Sequence, residues 1–386
     1  MVCFDVAVVG AGPAGSTAAH RLAAAGASVL LVDRAVFPRD KPCGGGVTGR
    51  AARLLPFSIE PVVEDVVERM DCGLLYGSWF SRTARGPLAY MTQRRRLDHF
   101  LLERAAEAGA DVRDGVRVSD VHEGGLTIDG EEIEARIVLG ADGCNGTSAK
   151  QLGLAEEIVH GVALEANYPH DERFAHAMLL EIAVIRGGYG WIFPKSDHVN
   201  VGVGGNESEA PRLRSELRGL CEAYGLDPDA AADVRGYRLP MRLPGTRLVC
   251  GRTAVIGDAA GLVDPFSGDG MYEAFLSSQL VSEAALDVLA GRAETLEPYQ
   301  QAVERRITPL TSAGWGAKAA FEHFPRTTYA LARLPITFRA LEKLLRGELS
   351  HPGDARGVEL AAIRAIYAVA RRAASRPPRA RQPSAT

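Results

Sequence analysis

The residues with the clearest chemistry stand close to the N-terminus. Gly10-Ala11-Gly12-Pro13-Ala14-Gly15 forms a G-x-G-x-x-G run, and Asp33-Arg34 follows further along. In such a run the first glycine allows a tight turn. The second has no side chain to block a phosphate, and the third lets a helix pack close to a strand. A helix opening at Pro13-Ala14 turns free N–H groups and a partial positive charge toward a pyrophosphate. The Asp33 carboxylate is suited to accept hydrogen bonds from ribose hydroxyls. The chemistry implied is the binding of an adenine dinucleotide.

Other groups of interest are scattered. Arg94-Arg95-Arg96-Leu97-Asp98 places cations at a helix start, Asp142-Gly143 closes one strand, and Gly257-Asp258 closes another just before a glycine-rich loop and a helix. A simple NAD dehydrogenase has no need of these distant additions, so FAD is the favoured dinucleotide. Cys43 precedes three glycines, Gly44 to Gly46, that would let backbone approach a flat ring. A buried thiol is more often a packing group than a proton donor. Tyr189, Trp191 and Phe193 alternate and so share one face of a strand. Such a stripe is either plain core or the lining of a cavity. Gly188 and Gly190 leave the other face thin, as though something packs closely there.

Around these residues the chain alternates in a recognisable way. Asp5 to Val9 reads as a buried parallel strand, Ala14 to Ala25 as a helix and Ser28 to Val32 as the next strand, which together make a βαβ unit. Residues 36–47 read as loop, 97–108 as a helix, and 136–139 as a strand running into Gly140. Residues 160–205 suggest an antiparallel sheet, 210–224 a helix, and 253–256 a buried strand. A long helix follows from Met271 to Leu289, and everything from Glu297 onward looks helical.

The expected fold class is α/β, a doubly wound, Rossmann-like FAD-binding domain split in sequence (1–70, 93–155 and 245–300). A mainly antiparallel substrate sheet (71–92 and 156–244) is inserted into it. A helical region (301–374) and a disordered tail (375–386), rich in Pro, Arg and Ala, complete the expectation.

Composition excludes several classes. The chain has 386 residues, 46% hydrophobic and 24% charged, with net charge −4. These are ordinary values for a folded protein and argue against a whole-protein preference for nucleic acid or for an anionic membrane. The six cysteines form no C-x-x-C pair, so neither a disulfide framework nor a metal site is expected. No apolar run approaches the roughly 20 residues of a membrane span, and a cytoplasmic location is expected. The stretch from Leu360 to Ala374, with Arg364, Arg371 and Arg372, could lie on a membrane surface as a basic amphipathic helix. Packing on the protein is the plainer alternative.

Several strings resemble the flavoproteins of the para-hydroxybenzoate hydroxylase fold, and most closely the geranylgeranyl reductase family. They are the glycine run, Lys41-Pro42-Cys43-Gly44-Gly45-Gly46, Arg94-x-x-Leu97-Asp98-x-x-Leu101, Gly140-Ala141-Asp142-Gly143, Tyr189-Gly190-Trp191-Ile192-Phe193-Pro194-Lys195 and Gly257-Asp258-Ala259-Ala260-Gly261. The resemblance implies Arg94 on the FAD phosphates, Asp258 on the ribityl or pyrophosphate region, and Gly268, Asp269, Gly270 and Met271 near the isoalloxazine. Cys43 and Gly44 would line that ring, and Tyr189, Trp191 and Phe193 would wall the substrate cavity.

The implied reaction is reduction of carbon–carbon double bonds in a prenyl chain, with Cys43 or Tyr189 as candidate proton donors and bound water as a third. Electrons would come from NAD(P)H bound transiently or from a protein donor such as reduced ferredoxin, since no second G-x-G-x-x-G stands in a βαβ context. A monooxygenase of the same fold is the runner-up. The halogenase string W-x-W-x-I-P is altered here at Tyr189 and Phe193, which argues against chlorination. A flavoprotein that binds lipid without catalysis is the alternative from a different class.

Overall fold

The computed structural model describes residues 3–374; the tail expected from 375 lies outside the described residues. Strand Cys3–Val9 sits at the centre of the first sheet because its apolar residues are buried on both faces. It pairs in parallel with Val29–Val32 on one side and Glu131–Gly140 on the other. Asp111–Arg113 extends the sheet beyond Val29–Val32, and Thr253–Val255 extends it beyond Glu131–Gly140, again in parallel. A segment more than 100 residues away thus completes the sheet that the glycine run begins.

Alternate side chains of these strands feed two cores. Val6, Val8, Leu31, Ile137 and Leu139 meet the helices Pro13–Ala24, Arg94–Glu107 and Met271–Leu289. Ala7, Val9, Leu30, Val32 and Val138 meet Val121, Leu126 and Ile128 of a small antiparallel meander, Val118–His122 and Gly125–Ile128. That meander explains why the strand expected at 136–139 begins at Glu131. In its first half Ile133 and Ala135 are buried while Glu132, Glu134 and Arg136 face solvent. This period-2 pattern belongs to a half-buried strand, not to a continuous apolar run.

The second sheet has seven strands in the order Ala232–Arg242, Ile158–Pro169, His198–Asn206, Tyr189–Pro194, Ala177–Ile182, Arg69–Leu74 and Ser78–Thr83. All neighbours are antiparallel except Ala177–Ile182 with Arg69–Leu74. Helix Leu213–Ala223 covers one face. It starts later than the expected 210 because a 3₁₀ segment, Glu207–Arg212, with Pro211 inside it, occupies that stretch. A Cβ on Gly190 would come within 2.8 Å of Leu220, so the thin face of the aromatic strand is where this helix packs.

A third, three-stranded sheet joins Gly46–Thr48, Ala89–Met91 and Asp65–Val67. The reading of 36–47 as loop did not anticipate its first strand, which is only three residues long. Helices then run from Glu297 to Ala374 with short breaks. The last, Gly357–Ala374, lies against Thr308–His323 and buries Ile363 and Ala370. Among the described residues no helix is long and apolar enough to cross a membrane.

Candidate active site

The glycine run turns from strand Cys3–Val9 into helix Pro13–Ala24. Gly10 has φ +105°, and a Cβ there would lie 2.4 Å from the Ala141 carbonyl oxygen. A Cβ on Gly15 would lie 1.8 Å from the Gly10 carbonyl oxygen. Gly12 differs, because the nearest atom to its Cβ would be an Arg39 guanidinium nitrogen at 3.8 Å. The cradle is therefore open only where a ligand must approach. Asp33 holds it in shape. Its Oδ2 accepts the Ala11 N–H at 2.7 Å and its Oδ1 accepts the Ala35 N–H at 2.8 Å. Each oxygen keeps a lone pair for a ribose hydroxyl. The neighbouring Arg34 is exposed.

Charged groups surround the cradle. Buried Arg94, first residue of its helix, donates from Nε and Nη2 to the two oxygens of Asp98, both at 2.7 Å. Arg39 approaches the same carboxylate at 2.6 Å. Burial works against the charge on Arg94 and on Asp98, but their mutual attraction outweighs it, so both stay ionised. Two arginines against one aspartate leave net positive charge suited to a phosphate. Lys41 donates to Asp258 at 3.1 Å and lies 4.6 Å from the Tyr237 ring centre. Asp142 is committed locally on one side: its Oδ2 accepts from Thr147 N–H, Ser148 N–H and the Ser148 hydroxyl. Its Oδ1 is buried without a protein partner.

At the other end, the Cys43–Gly46 segment lies against the aromatic stripe. A Cβ on Gly44 would meet the Phe193 ring at 2.8 Å and the Trp191 Nε1 at 3.3 Å. Trp191, Gly202 and Glu165 form one row across three strands. The indole lies over Gly202, where a Cβ would come within 2.1 Å of it, and its Nε1 donates to Asn200 at 2.8 Å. Successive rings of the stripe stand 6.1 and 6.3 Å apart. The Tyr189 hydroxyl donates to the Ser267 carbonyl and so ties the stripe to the Gly268-Asp269-Gly270 loop. The Asp269 Oδ1 accepts the N–H of Met271, the first residue of its helix, while its Oδ2 is buried without a protein partner. A Cβ on Gly270 would lie 3.2 Å from Asp258, so this loop also touches the Lys41–Asp258 pair. A cavity of about 370 Å³ reaches Tyr189 from the surface; Leu75, Ile182, Val184, Phe266, Phe321 and Pro325 make most of its lining apolar, and Arg186, Arg212, Lys318 and Glu322 add charge to it.

Two titratable residues of this cluster were not singled out from the sequence. Glu165 accepts the Cys43 N–H at 2.7 Å, and burial pushes its carboxyl up to about 7. Buried Lys195 donates to the Gly44 carbonyl at 2.6 Å, and burial pulls its ammonium down to about 8. Burial also raises the Cys43 thiol and the Tyr189 hydroxyl, so neither is ionised at neutral pH. The one sequence signal for Glu165 was its isolation in the apolar run Val162-Ala163-Leu164-Glu165-Ala166.

The open side of Gly12, the spare lone pairs of Asp33, the surplus positive charge at Arg94 and the partnerless Asp142 oxygen all fit a dinucleotide. The comparisons with known proteins agree. Residues 3–178 match the FAD binding domain family. The chain is 31% identical over 340 residues to digeranylgeranylglycerophospholipid reductase 2 of Methanopyrus kandleri, covering 79% of this chain and 83% of that one. The chain belongs to the geranylgeranyl reductase family.

Other relatives in this family include a menaquinone reductase of Mycobacterium tuberculosis, 32% identical over 72% of this chain and 76% of that one. A geranylgeranyl diphosphate reductase of Rhodobacter capsulatus is 31% identical over 74% and 76%. Among solved structures, a geranylgeranyl bacteriochlorophyll reductase-like protein of Thermoplasma acidophilum superposes with TM-score 0.77. It is 21% identical and covers 96% of this chain and 98% of that one. A flavin-dependent brominase superposes with TM-score 0.74 at 18% identity, covering 96% and 100%. At these identities the structural likenesses establish the fold alone. The protein is an FAD-dependent oxidoreductase of the geranylgeranyl reductase family.

Proposed function

We propose that the protein saturates carbon–carbon double bonds of a prenyl chain. Bound FAD, once reduced, supplies the hydride. The remaining tasks fall to the chain's own residues. Trp191 and Phe193, pressed against Gly44, exclude water from one wall, and the mainly apolar cavity that ends at Tyr189 accommodates a hydrocarbon chain. An isolated alkene is a poor hydride acceptor, so positioning and a nearby acid matter more than substrate polarisation. Tyr189 donates its hydroxyl proton to Ser267 and is less suited to that task. Glu165 holds a proton close to neutral pH beside Cys43, which makes the pair the proton source that this reading favours. Electrons come from NAD(P)H bound transiently or from a reduced ferredoxin.

The observation that carries the reading is the mainly apolar cavity that reaches Tyr189, the first ring of the stripe whose Trp191 and Phe193 pack on Gly44. The reductases among the relatives, one named for a digeranylgeranyl lipid and one for menaquinone, lend it support. The test is anaerobic. The flavin is reduced, geranylgeranyl compounds are added one at a time, and reoxidation is followed spectroscopically with mass analysis of the product. A gain of two hydrogens per turnover is expected. Substrate that returns unchanged without oxygen but hydroxylated with it would replace this reading with a monooxygenase.

A further inference from the structure

The seven-stranded sheet ends on strand Ser78–Thr83, which forms a hairpin with Arg69–Leu74. Large apolar side chains are usually withdrawn from such an edge. Here Leu75 is 47% exposed, Tyr76 44% and Trp79 71%, the last matched only by Val358 among the most exposed large hydrophobics described. Helices Pro325–Ala332 and Pro335–Leu345 pack beside this hairpin. The Tyr329 hydroxyl donates to the carbonyls of Cys72 and Ser78, and Arg82 donates to the Arg333 carbonyl at 2.8 Å. Leu334, between the two helices, is 43% exposed.

The exposed charge of the same elements leans positive. They and the loop after the hairpin carry Arg82, Arg85, Arg326, Arg333 and Arg339, while their carboxylates are already committed: Asp71 pairs with Arg69, and buried Glu342 accepts from the Arg85 N–H and from Arg346. Five arginines on adjoining elements contrast with a whole-chain charge of −4. Exposed aromatic and aliphatic side chains set among cations suit the boundary of an anionic bilayer, where rings sit at headgroup level and arginines meet lipid phosphates. A second copy of this chain would bring the same five cations face to face. A nucleic acid would leave Leu75, Trp79 and Leu334 without apolar partners.

The edge also adjoins the site. Leu75, at the hairpin tip, and Pro325, at the helix start, both line the cavity that reaches Tyr189. We propose that this edge docks on an anionic lipid surface and sets the cavity mouth against the bilayer, so that a membrane-borne prenyl chain reaches the aromatic stripe without crossing water. The delivery role rests on the prenyl reading of the site, whereas the docking does not. This surface is distinct from the C-terminal helix, which packs on Thr308–His323.

The test uses the full flavin-loaded chain and vesicles of phosphatidylcholine and phosphatidylglycerol at about 3:1. Co-sedimentation is expected at low salt, weakened by high salt and by purely phosphatidylcholine vesicles. A blue shift of tryptophan emission that is absent from Trp79→Phe is also expected. Trp79→Ser and Arg326→Glu/Arg333→Glu should each weaken vesicle binding at least about tenfold. They should leave flavin content and turnover of a short detergent-soluble prenyl substrate unchanged. Vesicle binding that survives both variants, or none by the parent protein, overturns the docking. Concentration-dependent dimers abolished by the same variants, without vesicle binding, assign the edge to a second copy instead. Docking with no turnover of any prenyl compound sinks the functional reading and leaves the surface standing.

Discussion

Glu165 occupies an unusual place for a carboxyl group, on a sheet face beside an indole and a glycine segment, with the Cys43 N–H as its hydrogen-bond donor. Desolvation favours its neutral form, and the N–H offsets only part of that cost. An ordinary glutamate loses its proton near pH 4.3, and here the proton leaves at about 7. Between those values the folded protein holds a proton that the unfolded chain has released. The stability from this group is therefore full at low pH and is lost as pH rises toward 7.

A proton-delivering role runs in the same direction. Single-turnover oxidation of the reduced enzyme by a prenyl substrate should slow as pH climbs through about 7. Glu165→Gln should lower the rate about 100-fold at pH 6 and erase that limb of the profile. An unchanged profile in the Gln variant would leave Cys43 or bound water as the proton source. Neither Glu165 nor Lys195 was legible beforehand, because the partner of each lies more than 100 residues away in sequence. Asp33 and Gly12 were legible because their meaning is local to one βαβ unit.

At the level of elements, the glycine run separates structural from ligand-directed constraint within six residues. A methyl on Gly15 has nowhere to go, since it would stand 1.8 Å from the Gly10 carbonyl oxygen. Gly15→Ala should cost about 3 kcal/mol or more in urea unfolding of the flavin-free protein. Gly12 has extended φ and ψ and open space before it. Gly12→Ala should leave the flavin-free unfolding midpoint within about 0.5 kcal/mol of the parent, yet weaken FAD binding about tenfold or more in fluorescence titration. Equal losses of stability in the two variants would mean that Gly12 is held by packing and not by a ligand. Strands at 5–9, 29–32 and 253–255 could be read from apolar β-branched runs. The three-stranded sheet could not, because three-residue strands such as Gly46–Thr48 and Asp65–Val67 carry no period to detect.

Across the whole molecule, one buried cation joins regions that the chain keeps apart. Arg242 ends strand Ala232–Arg242, the edge of the seven-stranded sheet opposite Ser78–Thr83. Its backbone N–H donates to Gly261 beside the first sheet, and its Nη2 donates to the Thr246 carbonyl at 3.0 Å and to Glu304 at 2.5 Å. Trp315, on the next helix, donates to its carbonyl at 3.4 Å. Two sheets and two C-terminal helices thus converge on a single residue whose sequence neighbours suggest nothing of it. Long-range convergence of this kind has no local pattern, so helices could be expected from 297 onward while their docking could not.

Arg242→Ala would leave the Thr246 carbonyl with only the longer bond from Gln300 Nε2, at 3.3 Å, and open a cavity, while Glu304 keeps Thr308 as a donor and could turn toward water because it is one-third exposed. The loss should therefore fall at the lower end for a broken buried pair, about 3 kcal/mol. It should be seen as a lower urea midpoint and earlier release of flavin on heating. Arg242→Met fills most of the volume and removes the charge, and should recover more than half of that loss. If Met proves as damaging as Ala, then the hydrogen bonds to Thr246 and Glu304, and not the filling of space, hold the sheets and helices in register.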